Sequence, residues 1–176
     1  MEELIKEWGY IVLFLYSFGG GFLALVFAGI LSYSGELNIF ICIITAGISN
    51  FCGDQFLFIL ARKNKNYAKD MIRKYSRKIA YSHLLIRKYG SIVVFLQKYI
   101  YGIKTLVPLA MGLSKYNFTK FTVLNLIATL IWSFIIGFVG FYMGEFVLNL
   151  ADEFKIYGIC FLVSIILGFA YFLKKI

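Results

Sequence analysis

The chain has 176 residues, of which 61% are hydrophobic and 19% aromatic, and its formal net charge is +9. Soluble globular domains contain about 45–50% apolar residues, so this composition excludes an ordinary soluble enzyme or binding module. Uncharged runs over 8–35, 37–53, 121–144 and 156–173 reach the roughly 17–25 residues that a transmembrane helix needs. The sequence therefore predicts an all-α polytopic membrane protein that forms a single membrane domain over 1–176.

The first apolar block, 8–33, is long for a single crossing and rich in glycine at its centre. As one helix it would span about 39 Å, against a hydrocarbon core of about 30 Å. Gly19, Gly20 and Gly21 follow one another near its middle, and each glycine costs about 1 kcal/mol in a helix interior. We predict a re-entrant helical hairpin with its tip at these glycines, followed by a full transmembrane helix over 37–61.

The segment 62–88 carries ten of the eighteen basic residues and one acid, Asp70. The positive-inside rule places such a segment in the cytoplasm. Its interspersed apolar residues predict short amphipathic helices that lie on anionic lipid headgroups. Nucleic acid is not an expected partner, because the flanking membrane segments make the lipid surface the nearer anion.

The second block, 89–113, is also predicted to be a re-entrant hairpin, with a break at Tyr101 and Gly102 and a further bend at Pro108. If this block crossed the membrane once, four later lysines would lie opposite the basic segment, against the positive-inside rule. A block that enters from the cytoplasm and returns to it keeps all four inside. These lysines are Lys115, Lys120, Lys174 and Lys175.

Full transmembrane helices over 121–144 and 155–173 complete the predicted fold. Two re-entrant hairpins then enter from opposite sides beside three full crossings, and the C-terminus is cytoplasmic. Each half is a broken segment followed by a whole one, which is the pattern of inverted repeats in transporters. In such proteins the binding site lies near the midplane where the broken helices meet.

Two lysines, Lys98 and Lys104, stand in the apolar second hairpin. A lysine at the centre of a membrane helix costs roughly 3 kcal/mol on insertion scales, so it is expected to face a cavity and a partner. A lipid phosphate is a suitable partner, and Arg62 is a third candidate to bind it. Asp54 is the predicted ion-pair partner of a hairpin lysine while the site is empty. The alternative is that the lysines snorkel to the cytoplasmic interface.

Three stretches carry spaced residues that match a known pattern: GDxxxFxxAR over 53–62, KYxYGxKxxxPxxxG over 98–112 and NxxAxxxW over 125–132. In order and spacing they resemble the motifs GDxxxYxxGR and RFxPGxRxxxPxxxG, and the next helix, of the DedA family (the VTT, or SNARE-associated, superfamily). The resemblance covers roughly residues 20–145. Two hairpin arginines of the family are lysines here, and the first hairpin lacks the carboxylates to which proton coupling in the family is attributed.

The resemblance implies lipid translocation in the bacterial cytoplasmic membrane: undecaprenyl phosphate recycling, or phosphatidylethanolamine transport and phospholipid scrambling. Acids are scarce near the membrane segments, which disfavours a zwitterionic lipid and favours the polyprenyl phosphate. A proton-coupled small-solute or drug transporter and a structural scaffold are alternatives. One histidine and distant acids disfavour an enzyme, and we expect no cofactor or metal. The sequence leaves oligomerisation open.

Overall fold

The computed structural model describes residues 2–64, 70, 73, 76–100, 103–114 and 116–153. All regular secondary structure in these residues is helical, and none of them forms a strand. To that extent the predicted all-α class is confirmed. The predicted helix 155–173 and the predicted tip residues Tyr101 and Gly102 lie outside the described residues. In chain order the elements are α1 (Glu2–Phe18), α2 (Phe22–Tyr33), α3 (Ile39–Lys63), α4 (Ser76–Tyr89), a 3₁₀ turn (Gly90–Ile92), α5 (Val93–Leu96), α6 (Leu106–Leu113) and α7 (Phe118–Glu153).

The long helices α3 and α7 pack against each other in antiparallel directions. At one end the rings of Phe58 and Phe121 stack with centroids 4.4 Å apart, and further along Gly47 lies against Ser133. Both helices are long and apolar enough to cross a membrane. The 36 residues of α7 correspond to about 54 Å, so this helix continues well past the predicted span 121–144.

The helices α1 and α2 form the first hairpin, which is joined by a tight turn at the three consecutive glycines. The Gly20 N–H donates to the Ser17 carbonyl at 3.1 Å, and the Gly21 N–H donates to the Tyr16 carbonyl at 3.0 Å. Gly20 has φ +124°, a backbone conformation that residues other than glycine rarely adopt. The arms are unequal, with 17 residues in α1 and 12 in α2, because α1 begins before residue 8.

The first hairpin lies along the amino-terminal half of α3. The Asn38 N–H at the start of α3 donates to the Tyr10 hydroxyl at 2.9 Å, and the Phe18 carbonyl lies against Gly53. Gly53 is about 21 Å along the axis from the start of α3 at 1.5 Å per residue. The hairpin therefore starts at the amino end of α3 and its tip reaches just past the middle of that helix.

The second hairpin includes α5, the described residues 97–100 and 103–105, and α6, and it approaches α3 from the other end. The Ser91 and Tyr116 hydroxyls are 2.8 Å apart, so the start of this block and the chain just after it are adjacent. Gly112 lies against the Phe58 carbonyl of α3. Both ends of the block 89–113 are thus close to the carboxyl-terminal part of α3.

The arms of the second hairpin are short, with four residues in α5 and eight in α6. Pro108 is the third residue of α6, whose first turn follows Thr105. The first N–H groups of a helix have no intrahelical acceptor, so the missing N–H of a proline costs little there. Pro108 lies in the first turn of the returning arm, where the sequence had suggested a bend.

Glycines bring α2 and α7 into close contact. A Cβ on Gly29 would lie 2.7 Å from the Gly137 carbonyl, and a Cβ on Gly140 would lie 2.5 Å from the Val26 carbonyl. Small residues at such positions let helix backbones approach each other, which is how helices associate where no hydrophobic effect drives them together.

The described residues bury apolar and polar side chains together and expose many large apolar ones. Phe40, Ile44 and Ile48 of α3 and Ile131 and Phe134 of α7 are exposed, as expected for helices that face lipid. Eleven polar or charged residues are instead buried: Ser17, Ser32, Ser49, Asn50, Asp54, Ser82, Gln97, Lys98, Asn125, Thr129 and Ser133.

The helix α4 covers the second half of the basic segment 62–88, and Arg62 and Lys63 belong to the last turn of α3. Leu85 of α4 is buried, whereas Arg77 and Arg87 are exposed. The amphipathic character predicted for the whole segment stays a prediction.

Gly140→Ala is expected to destabilise the protein by about 1–3 kcal/mol, because the added methyl group meets the Val26 carbonyl and forces α2 away from α7. Gly19→Ala is the matched control, since its Cβ would have no neighbour closer than 3.9 Å. Thermal unfolding of both variants in the same detergent measures the difference. Equal melting temperatures would show that α2 and α7 are not in close contact.

Candidate functional site

A buried ion pair joins the second hairpin to the middle of α3. The Lys98 ammonium pairs with the Asp54 carboxylate, and the two side chains are 0% and 4% exposed. The same ammonium donates to the Asn50 side-chain oxygen at 2.7 Å. Asn50 and Asp54 are four residues apart, so they face the same side of α3. Charge-assisted hydrogen bonds of this kind are stronger than neutral ones, and they leave Lys98 well satisfied.

The second lysine, Lys104, lies between the tip of the first hairpin and α7. Its ammonium is 5.0 Å from the centroid of the Trp132 ring, within the range of a cation–π interaction. A Cβ on Gly20 would lie 3.1 Å from that ammonium. The Lys104 ammonium is buried and has no hydrogen-bond partner among the described residues.

The ionisable groups at this place carry an excess positive charge. Lys98 is compensated by Asp54, whereas among the described residues Lys104 has the face of Trp132 and the longer-range field of Asp54 and Lys98. A buried charge is costly unless it is paired and hydrogen-bonded. The cluster therefore has the charge and the free donor to bind one further anionic group.

Other buried polar atoms near these lysines also have no partner in the described part of the chain. They are the Ser17 hydroxyl, the side-chain amide nitrogen of Asn50, both side-chain polar atoms of Gln97 and the Trp132 indole N–H. Buried polar groups in proteins usually have a partner. Together with Lys104, donors outnumber acceptors in this set, which suits a ligand with acceptor oxygens.

These residues are grouped because each is adjacent in sequence to, or in contact with, another member of the set. Ser17 is in the turn that ends at Gly20, and Gln97 directly precedes Lys98. Asn50 contacts Lys98, and Trp132 contacts Lys104. We call this set the tip cluster: Ser17, Gly20, Asn50, Asp54, Gln97, Lys98, Lys104 and Trp132.

Arg62, the third predicted phosphate-binding residue, lies outside the tip cluster. Its guanidinium donates to the Ser114 carbonyl at 3.4 Å and to the Tyr116 carbonyl, and it lies 4.6 Å from the centroid of the Phe58 ring. Arg62 is about 12 Å along α3 from Asp54. The structure therefore gives Arg62 contacts that hold the end of α6 against α3, and its phosphate-binding role stays a prediction.

The structure brings together several residues that the sequence singled out and adds others. Asp54 pairs with Lys98, and the Gly19–Gly21 turn contacts Lys104. Sequence reasoning missed Asn50, Gln97 and Ser17 as site residues and did not assign a role to Trp132. A signal for Asn50 was available, because it is a polar residue in an apolar run, one helical turn before Asp54.

Within the ranges that the structure describes, no three His, Cys, Asp or Glu side chains come together as metal ligands. Cys42 and Cys52 are both free thiols on α3.

Comparison with known proteins identifies the family. The VTT domain matches residues 7–142. The chain is 22% identical to the inner membrane protein YohD of Escherichia coli over 183 aligned positions, which cover 99% of this chain and 94% of that protein. It is 28% identical to the undecaprenyl phosphate transporter A of Staphylococcus aureus over 149 positions, which cover 76% of this chain and 73% of that protein. No solved structure matches the chain.

The match to the VTT domain spans most of the chain, including all residues of the tip cluster. The chain is a membrane protein that belongs to the VTT-domain (DedA) family. The resemblance inferred from the three sequence motifs is confirmed.

The ion pair in the tip cluster makes a prediction for stability. Asp54→Asn leaves the Lys98 charge buried without compensation and is expected to cost about 3–5 kcal/mol, as is Lys98→Met, which leaves the carboxylate alone. The double variant removes both charges and is expected to recover most of that loss. Thermal unfolding of the four proteins in one detergent measures the coupling.

Additive losses in the double variant would contradict a direct interaction between Asp54 and Lys98, because residues that do not interact behave additively. Lys120→Met, a change at an exposed lysine of α7, controls for removal of a lysine as such.

Proposed function

We propose that this protein is a transporter that moves a lipid with a phosphate headgroup, most favourably a polyprenyl phosphate such as undecaprenyl phosphate, across the bacterial cytoplasmic membrane. The observation that carries the proposal is the Lys104 ammonium, which is buried, unbonded within the described residues and held against the tip of the first hairpin. A phosphate oxygen is the natural partner for such a cation.

The position of the tip cluster supports transport over static binding. Asn50 and Asp54 lie near the middle of α3, a helix of 25 residues that starts at Ile39. If α3 spans the bilayer, these residues are near the midplane, where transporters with discontinuous helices bind their substrates. A headgroup at this depth is about equally far from both membrane surfaces.

The approach of the hairpins from opposite ends of α3 supports re-entry from opposite sides of the membrane and an inverted-repeat-like arrangement. The first hairpin begins beside Asn38, and the second begins and ends near Phe58 and Tyr116. The positive-inside rule then places the carboxyl end of α3, the segment 62–88 and the C-terminus in the cytoplasm. The basic segment would lie on anionic headgroups there.

Within this proposal, the two lysines have different roles. Lys104 binds the phosphate directly, with donors from Asn50, Gln97 and Trp132 available to the remaining oxygens. Lys98 holds the second hairpin on α3 through Asp54 and adds to the positive potential at the site. Arg62, at the cytoplasmic end of α3, is placed to meet the headgroup as it enters or leaves.

The tip cluster favours a phosphate without an amine. An ammonium headgroup needs acceptors, and Asp54 is already engaged by Lys98. The relative from Staphylococcus aureus, whose name specifies undecaprenyl phosphate, is consistent with this choice. A phosphatidylethanolamine translocase or scramblase is the alternative, and a proton-coupled solute transporter would need a carboxylate free to titrate. Neither the proposal nor these alternatives involves enzymatic chemistry or a cofactor.

Lys104→Met is expected to reduce polyprenyl phosphate transport in proteoliposomes at least tenfold, because it removes the unpartnered donor at the site. The fold should persist, since an unpaired buried charge is itself costly to the folded state and methionine keeps most of the side-chain volume. Lys120→Met is the matched control and should transport at the wild-type rate. Phosphatidylethanolamine in the same vesicles should not be moved.

Normal transport by the Lys104→Met variant would contradict the proposed headgroup site. Transport of phosphatidylethanolamine at a rate similar to that of the polyprenyl phosphate would favour the scramblase alternative.

A further inference from the structure

The two arms of the first hairpin leave an apolar groove between them. It has a volume of about 430 Å³ and is lined by Val12 and Tyr16 of α1, by Ala24 and Phe27 of α2 and by Leu37. Its volume falls within the range of small-molecule sites, which is about 300–1,000 Å³. Apart from the Tyr16 hydroxyl its side chains are hydrocarbon, so the groove suits an apolar group and not a headgroup.

The groove begins next to the tip cluster. Tyr16 and Leu23, at its inner end, stand on either side of the Gly19–Gly21 turn, and Gly20 in that turn contacts the Lys104 ammonium. Its outer end is at Gly9 and Leu37, close to the start of α3. Gly9 and Tyr16 are about 10 Å apart along α1, so the groove is an elongated channel along the hairpin.

We infer that this groove receives the first part of the hydrocarbon chain of the lipid whose phosphate binds at Lys104. The inference rests on the proposed function. Head and chain are covalently joined, so a phosphate held at the middle of α3 requires the chain to leave the site along an apolar path that starts beside Lys104. The groove between α1 and α2 begins at Tyr16 and Leu23, on either side of the glycine turn that faces Lys104, and continues outward between hydrocarbon side chains.

The groove would act on the lipid in two ways: by packing against its hydrocarbon chain and by fixing the direction in which that chain leaves the phosphate. A chain in a bilayer is already surrounded by hydrocarbon and gains no hydrophobic energy by entering the groove, so what it gains is dispersion contact with a fixed surface. The small residues Gly9, Ala24 and Ala28 form part of this surface. A chain directed along it holds the phosphate in one orientation at Lys104.

The protein offers a matched pair of substitutions that tests whether the groove receives the lipid's hydrocarbon chain. Val12 lines the groove and is 48% exposed, and Val139 of α7 lies outside the groove and is 45% exposed. Val12→Phe fills the groove, whereas Val139→Phe adds the same volume to another apolar surface. Both changes keep the hydrophobic character of a face exposed in the structure.

The experiment measures binding of two probes to purified protein in nanodiscs, a long-chain polyprenyl phosphate and a single-isoprene phosphate. Val12→Phe is expected to weaken binding of the long-chain probe about tenfold, since overpacking costs of this size are typical. The short probe does not reach along the groove and should bind as before. Val139→Phe should change neither affinity.

The wild-type protein gives a second readout. A polyprenyl phosphate with a photoreactive group on its second or third isoprene unit should label peptides from α1 and α2, and excess unlabelled polyprenyl phosphate should suppress this labelling. Labelling spread over α7, or labelling that excess ligand does not suppress, would mean that ordinary bilayer lipid fills the groove and would overturn the inference.

The outcomes separate this inference from the proposed function. If Lys104→Met weakens both probes while Val12→Phe changes neither, the headgroup site stands and the groove has another occupant. If Lys104→Met changes neither probe, the proposed headgroup site itself is wrong.

Discussion

The arrangement of this protein depends on one interaction, the buried ion pair between Lys98 of the second hairpin and Asp54 in the middle of α3. A lysine at that depth is tolerated only with a partner, and Asp54 with Asn50 supplies it. The pair holds a short, irregular segment against a long helix where hydrophobic packing alone would not specify its position. Lys104, six residues further along, is thereby placed beside Gly20 of the other hairpin.

Close backbone contacts make this arrangement geometrically feasible. Gly53 admits the Phe18 carbonyl at the first tip, and Gly112 admits the Phe58 carbonyl beside the second hairpin. Both glycines belong to the motifs that the sequence shares with the VTT-domain family. The spacing of those motifs thus has a physical reason: glycine stands where a hairpin backbone contacts α3, and a charged residue follows Gly53 where the second hairpin binds. The apolar groove along the first hairpin then connects the tip cluster with the lipid phase.

The sequence was sufficient for the membrane class, the all-α fold and the family, because long apolar runs and spaced motifs report on these directly. The re-entry of the blocks 8–33 and 89–113 stays a prediction. The sequence also indicated Asp54 and the two lysines as a group. It could not separate the roles of Lys98 and Lys104, since this depends on how α5 and α6 are rotated against α3. The contact of Lys104 with Trp132 and the burial of Gln97 arise from helices distant in sequence, and no local pattern predicts them. The carbonyl partners of Arg62 could not be predicted from the sequence for the same reason.

In this arrangement the second hairpin enters and leaves the membrane on one side. Single cysteines at three exposed positions, Arg77, Thr119 and Glu145, in a chain whose native cysteines are replaced by alanine, test this by labelling with a membrane-impermeant maleimide. The account predicts that Arg77→Cys and Thr119→Cys react only from the cytoplasmic side and that Glu145→Cys reacts only from the other. Reaction of Thr119→Cys from the side opposite to Arg77→Cys would show that the block 89–113 crosses the membrane, and the tip cluster as described would not exist.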